Sequence, residues 1–397
     1  METTAALTPG DEAKLAAIVA DAARMRTPLA VAGGGTRANL GRPIHTAATV
    51  STAALTGVTL YEPAELVLSA RAGTPLADVE ALLAGRGQRL AFEPIDHRFI
   101  TGADGAPTIG AVAAANLSGP RRIQVGAARD SLIGVRAVTG RGEVVRSGGR
   151  VMKNVAGYDL VKFLAGSYGT LAVLTEVTFK VLPVPETEAT LVLAGLDDKR
   201  AVAALSAALG SPHSVSGAAH IPAFGVRAAE TLVRVEGFAD SVAARCRSLA
   251  ADLAAFGDVE RIDAASSTTA WRMIRDLAVL GAPAECPIWR VSVKPSDGPA
   301  IAEAARRAFD CRVLYDWGGG LVWVAGGTGT DAGAAVVRAA VAAVGGHATL
   351  VRAPETVRST VPVFQPLSDS LMDLTLKLKA AFDPVGILNP GRMYAGV

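Results

Sequence analysis

The sequence is poor in cysteine, in aromatic residues and in charge. Its 397 residues hold three cysteines, Cys246, Cys286 and Cys311, far apart and without a Cys-x-x-Cys spacing. Neither a disulfide framework nor a cysteine-ligated zinc or iron–sulfur site is supported by that spacing, and a reducing cytoplasm suits it. Charged residues make up 19%, and 39 Lys and Arg against 37 Asp and Glu leave a formal net charge of +2. With no basic run to track phosphates along a duplex, nucleic acid is excluded as the expected partner. Long apolar runs are missing as well. The longest uncharged stretches, 43–61 and 201–226, are interrupted by Thr, Ser, His, Pro and Gly, so neither supplies the ~20 apolar residues of a membrane span. Met1 to Leu15 has no basic and apolar signal pattern, and no signal peptide is expected.

What the chain does have is hydrophobic residues, at 50%, and glycine, at 42 positions. The first predicts a large core divided over two or three domains. The second, clustered in the first half, marks backbone that approaches something closely. A helix is expected after Thr8-Pro9-Gly10-Asp11, with Thr8 as its cap. A strand, Leu29 to Ala32, runs into Gly33-Gly34-Gly35-Thr36. Leu66 to Arg71 reads as a second strand, followed by a helix capped by Thr74 and ended by Gly87. A short buried helix is expected within Gly105 to Pro120, a hairpin at 132–139 and 143–147, and a long β-rich run from Leu171 to Leu182. Pro183 and Pro185 mark a boundary. Beyond it, strand, helix, strand, strand, helix, strand occurs twice, at 189–263 and 288–352, the split βαβ pattern repeated. A last helix sets Leu371, Leu374, Leu378, Ala381 and Phe382 on one face.

Three small-residue segments stand out: Gly33-Gly34-Gly35-Thr36; Pro107-Thr108-Ile109-Gly110 through Asn116-Leu117-Ser118-Gly119; and Gly166-Ser167-Tyr168-Gly169-Thr170-Leu171. Unobstructed amides of this kind bind phosphate oxygens. The first segment is neither a Walker loop nor the Gly-x-Gly-x-x-Gly fingerprint. Together the three suit a long phosphate-bearing ligand such as a dinucleotide.

These segments resemble the FAD-binding domain of the vanillyl-alcohol oxidase superfamily, the PCMH type. Arg150 to Leu160 and Phe382-Asp383-Pro384 through Asn389-Pro390-Gly391-Arg392-Met393-Tyr394 are similar to the family of FAD-binding E subunits of bacterial glycolate oxidase. The resemblance implies an α+β fold: a two-subdomain FAD domain over 1–186, an α+β cap of ferredoxin-like repeats over 187–355, and a C-terminal helix and tail, 356–397, returning to the FAD domain. It assigns the pyrophosphate to Gly33, Gly34, Gly35, Thr36, Pro107, Thr108, Ile109 and Gly110. Asn116, Ser118 and Gly119 fall to the flavin, Gly169, Thr170 and Val173 to the adenosine half, and Asn389 and Arg392 to the C-terminal motif. Thr36 and Ala106 stand where covalent members carry His or Cys, which implies non-covalent FAD. Ala32, Ala111 and Ala172 depart from the Arg and two Gly common in the family.

Related 2-hydroxy-acid dehydrogenases carry a His-rich metal segment in the cap. Here His45, His97, His213, His220 and His347 are scattered, so no metal site is expected and no catalytic residue is assigned. The substrate-clamp candidate is Arg290, with Arg272 and Arg275 as lesser ones. Arg121, Arg122, Lys153 and Asn154 read equally as binders of FAD phosphate, of substrate or of a partner subunit, whereas Asp159 and Glu176 read as a helix start and a strand surface. The resemblance implies oxidation of a small 2-hydroxy acid such as glycolate to glyoxylate. It also implies a second flavin subunit and an iron–sulfur subunit as partners, and a cytoplasmic place at the inner face of the cell membrane through that complex. A catalytically silent scaffold or electron relay, and a stand-alone FAD oxidase of another alcohol, are the rival readings.

Overall fold

The computed structural model describes residues 5–149, 159–327 and 329–397; Lys153 and Asn154 lie outside the described residues. Two compact units emerge, one of residues 1–118, 126–184 and 366–397, the other of 119–125 and 185–365. Two stretches divide differently from the sequence expectation. Residues 119–125 leave the first unit because the Trp317 indole donates to the Gly119 carbonyl at 3.1 Å, and 356–365 stay with the second because Leu350 N donates to the Val363 carbonyl at 2.8 Å.

In the first unit, β1 (Ala5–Leu7), β2 (Leu29–Ala32) and β3 (Ala48–Ser51) form a parallel sheet in the order β1-β3-β2. The helix Glu12–Met25 lays Leu15, Val19 and Ala22 against it, next to Leu29 and Val50. Full burial of each Leu or Val contributes about 1.5–3 kcal/mol. Asp11 caps this helix, accepting from Lys14 N at 2.8 Å, in place of the expected Thr8: the carboxylate sits one residue before the first helical turn, where an N-cap must be.

A second, antiparallel sheet joins β4 (Val58–Glu62), β5 (Val67–Arg71), β7 (Leu132–Thr139), β8 (Val144–Gly148) and β9 (Ala172–Lys180) in the order β4-β5-β9-β7-β8; the short β6 (Gln88–Arg89) and β10 (Leu182–Pro183) pair separately. Glu12 ties the first helix to this sheet through Arg136 and through the Thr175 hydroxyl, at 2.6 Å. The helix Leu76–Ala84 has no side-chain cap; the Thr74 hydroxyl donates to the Arg71 carbonyl at 2.7 Å, and Pro75 takes the cap position. The C-terminal helix Asp369–Phe382 also departs from its expected face. Leu371 and Leu374 are exposed, and the residue it buries is Lys379.

The second unit holds β11 (Thr187–Ala194), β12 (Val215–Ile221), β13 (Glu230–Gly237), β14 (Val259–Ile262), β15 (Ile288–Ser292), β16 (Cys311–Asp316), β17 (Leu321–Gly326) and β18 (His347–Arg352). They form one antiparallel sheet, β14-β11-β13-β12-β16-β17-β15-β18. Each half is a split βαβ repeat, and the halves meet edge to edge at His220 opposite Tyr315. The helices Asp198–Gly210 and Ala239–Leu253 cover one face of the first half, burying Leu205, Leu249 and Leu253 against Leu191, Leu193 and Val233.

Candidate functional site

The parallel sheet of the first unit delivers β2 straight into Gly33-Gly34-Gly35-Thr36, at the carboxyl end of the strand, where open α/β sheets place their ligands. Two of these glycines are required by the chain itself. A Cβ on Gly33 would strike the Thr108 hydroxyl, and one on Gly34 would overlap the Ala106 carbonyl oxygen. The glycine loop and the segment before Gly110 therefore lie backbone against backbone. Gly35 has φ +78° and open space around it.

Thr108 caps the short helix Ile109–Ala114, accepting from Ala111 N at 3.4 Å. Pro107 and Ile109 lock this segment by main-chain bonds, Leu76 N to the Pro107 carbonyl at 2.8 Å and Ile109 N to the Thr74 carbonyl at 3.0 Å. Asn389 supports two segments at once: its Oδ1 accepts from Val31 N and its Nδ2 donates to the Tyr168 carbonyl, both at 2.8 Å. Lys379 secures a third, donating to the carbonyls of Thr170 and Leu388 and to Asp383 at 2.6, 2.9 and 2.8 Å. Burial lowers its pKa, and Asp383 opposes that shift. Asp383 in turn accepts from the amides of Gly386, Ile387 and Leu388, which shapes the tail that ends at Arg392.

Together these elements enclose a cavity of about 410 Å³. Of the residues singled out in the sequence, Gly33, Gly34, Gly35, Thr36, Gly110, Gly169, Val173 and Arg392 line it. Pro107, Thr108, Ile109, Thr170 and Asn389 stand behind them. Asn116 and Ser118 are occupied elsewhere, accepting from Arg129 N and Ala128 N at 2.9 Å each, and Gly119 belongs to the second unit. Among the described residues the charged side chains in the lining are Arg37 and Arg392. Arg37 was missed in the sequence, although its place directly after the glycine loop was a usable signal.

In the second unit, Arg290 is half-buried, its Cζ 5.1 Å from the centroid of the Trp317 ring, with Arg122 over the same ring at 4.4 Å. His347 is exposed at the start of β18, yet desolvation at its imidazole, then Arg290 and Arg122, push it below the ordinary imidazole value. Arg121 gives Nε and Nη2 to Glu236 and lies 3.7 Å from Glu188. Arg275 pairs with Asp276 at 2.7 Å. His220 donates to or accepts from the Thr231 hydroxyl at 2.9 Å, and His213 meets Asp252 at 3.0 Å.

Residues 3–148 match the FAD binding domain family. A glycolate oxidase subunit GlcE of Escherichia coli (strain K12) is 35% identical over 370 residues, 93% of each chain. The chain belongs to the GlcE family of glycolate oxidase subunits. A GlcD subunit of Bacillus subtilis (strain 168) is 44% identical over 84 residues, 21% of this GlcE-family chain and 18% of its own. The fold is the PCMH-type FAD-binding fold. A 4-ethylphenol oxidase from Gulosibacter chungangensis superposes with a TM-score of 0.72 at 13% identity, covering 98% of this chain and 89% of its own. An alkyldihydroxyacetonephosphate synthase gives 0.71 at 16%, covering 97% and 75%.

FAD fits what lines the cavity. Its diphosphate carries two negative charges, and the charged side chains of the described lining are both arginines. The apolar remainder, Val31, Ile44, Val173 and Leu174 with several alanines, suits the flat rings of a dinucleotide. Among the described residues no helix is long and apolar enough to cross a membrane.

Proposed function

We propose that this chain is the FAD-binding subunit of a heteromeric glycolate oxidase, converting glycolate or a close 2-hydroxy acid to its 2-oxo acid. The observation that carries the reading is the cavity closed by three small-residue segments and charged only by arginine among the described residues. Non-covalent FAD would be held by Gly33 to Thr36, Gly110, Gly169, Val173 and Arg392. Pro107, Thr108, Ile109, Thr170 and Asn389 would position those segments, and Asn116, Ser118 and Gly119 the loop that follows. Bound FAD supplies a two-electron acceptor for the substrate C–H bond.

Arg290 and Arg122, gathered on Trp317, would clamp the substrate carboxylate. His347, whose pKa is lowered by desolvation and then by Arg290 and Arg122, would be the base near them. Electrons would pass to a GlcD-like flavin subunit and an iron–sulfur subunit, in the cytoplasm at the inner face of the membrane. A second reading, an electron relay without turnover of its own, draws support from the commitment of His97, His213 and His220 to internal hydrogen bonds.

The test is the visible spectrum of the chain purified alone, then anaerobic glycolate or D-lactate with and without co-purified partners. Flavin bands that bleach on substrate addition, with the rate cut at least tenfold in Arg290→Met, support the dehydrogenase. Bands that bleach only with partners present, at a rate indifferent to Arg290→Met, make this chain the relay. A colourless protein removes both readings.

A further inference from the structure

Arg37 lines the cavity and is only 9% exposed. A guanidinium buried to this degree is costly unless something supplies its counter-charge. Two of its nitrogens are anchored within the protein: Nε donates to His97 Nδ1 at 3.3 Å, and Nη1 to the Thr36 hydroxyl at 3.4 Å. Its Nη2 has no hydrogen-bond partner among the described residues. Asp96, the carboxylate that acts on it through space, is already engaged by Arg98 at 2.7 and 3.1 Å. Burial consequently pulls Arg37 down to about 10, which leaves it charged at neutral pH.

His97 explains how the fork is held. A ring nitrogen that accepts from a guanidinium carries a lone pair, so Nδ1 is unprotonated. With Thr36 as the second anchor, this fixes the plane of the guanidinium and leaves Nη2 as the donor to spare. Arg392 reinforces the loop, its Nη2 donating to the Arg37 carbonyl at 2.7 Å.

We propose that the Arg37 guanidinium, whose Nη2 is left without a partner among the described residues, binds the diphosphate of FAD, and that neutral His97 is the positioning residue that aims it. This rests on the FAD reading above, and it adds a side-chain charge to the backbone amides of the glycine loop. The chemistry recognised is a diphosphate, whether in FAD or in a free nucleoside diphosphate.

The test uses full-length apoprotein titrated with FAD and with riboflavin, which has no phosphate, followed by flavin fluorescence, and with ADP and adenosine as competitors. Arg37→Met is expected to weaken FAD at least tenfold, the loss typical of a charge-assisted hydrogen bond, and to leave riboflavin within twofold. ADP should compete with FAD in the wild type and lose its advantage over adenosine in the variant. His97→Leu should weaken FAD three- to tenfold, again sparing riboflavin. Unchanged FAD affinity in Arg37→Met, or an equal loss for FAD and riboflavin, would overturn the proposal. Should that variant fail to fold, Arg37→Lys decides, because it keeps the charge and loses the fork: FAD affinity at the wild-type level would overturn the proposal as well. A wild-type chain that binds no FAD would instead remove the FAD reading itself.

Discussion

Each unit buries arginines, and one from each, Arg121 and Arg37, are treated in opposite ways. In the second unit Arg121, 6% exposed, gives Nε and Nη2 to Glu236, with Glu188 close behind. In the first unit Arg37, 9% exposed, faces no free carboxylate and keeps Nη2 unpartnered among the described residues. Comparable burial thus serves two ends. A charge paired inside the fold holds that fold together, and removing its mate strands it. One left bare beside a cavity destabilises the empty protein and gives the difference back to an anionic ligand. The histidines follow the same division. His220 is enclosed by Thr231, Asp198 and Tyr315, whereas His97 is spent on orienting Arg37.

The largest expected effect on flavin binding comes from the glycine loop, where cavity and backbone are one structure. In Gly34→Val the new side chain would overlap the Ala106 carbonyl, and neither main-chain segment can yield without moving the loop. Flavin affinity should drop by more than about a hundredfold, equivalent to about 2.7 kcal/mol, while the second unit keeps its fold. The ratio of flavin to protein absorbance after gel filtration, with circular dichroism, measures both. A variant with full flavin would contradict the assignment of this loop.

On stability, the largest effect is at the paired arginine. Glu236→Gln takes from Arg121 and the adjacent Arg234 the buried carboxylate they share, leaving Glu188 3.7 Å from Arg121, and a loss of about 3–5 kcal/mol in urea denaturation is expected. Arg37→Met in the apoprotein should raise the melting temperature or leave it unchanged. That opposite sign is the sharpest test of the contrast, and two losses of equal size would dissolve it.

A smaller effect sits in the polar core of the second unit. Asp198 accepts from the Tyr315 hydroxyl at 2.6 Å and from Arg306, and lies 3.5 Å from His220. These partners outweigh the cost of burial and hold its carboxyl at about 2. Because the folded value lies below the unfolded one, the stabilisation is present above about pH 4 and fades as pH falls toward 2. Asp198→Asn should cost about 1–3 kcal/mol at neutral pH and flatten the acid limb of a stability-against-pH curve. A wild-type acid limb that survives the substitution would assign it to other carboxylates.

Much of this architecture was legible in the sequence, for reasons visible in particular residues. The twelve strands and helices of the repeated βαβ pattern came out near their observed bounds, because period-2 and period-3.6 burial are local properties of the chain. The three small-residue segments were equally readable, since bare backbone leaves a mark in composition. The helix Ala264–Arg275 was not. Its one-sided burial of Ser267, Trp271 and Ile274 is hidden among Ser, Thr and Ala. Caps slipped where two candidates stood close together, as with Thr8 and Asp11. Leu371 and Leu374 have the spacing of a buried face and lie in solvent, because pattern reports that a face exists and not what covers it. Pairings such as Arg121 with Glu236, 115 residues apart, and the orientation of Arg37 by His97, 60 apart, depend on folding and leave no local trace.

Asn116 carries the smallest effect and tests how far contact can be separated from support. It sits at φ +49° and accepts from Arg129 N at 2.9 Å, so its side chain and its backbone each fix the turn after the short helix. Asn116→Gly loses the hydrogen bond and keeps the left-handed conformation, whereas Asn116→Ala loses both. A stability difference of about 0.5–1 kcal/mol between the two variants is expected from the backbone alone. FAD affinity should fall less than threefold in either, in step with stability, because the Asn116 amide is engaged with Arg129. An affinity loss tenfold or greater at unchanged stability would move Asn116 from the loop's support to the flavin's own contacts.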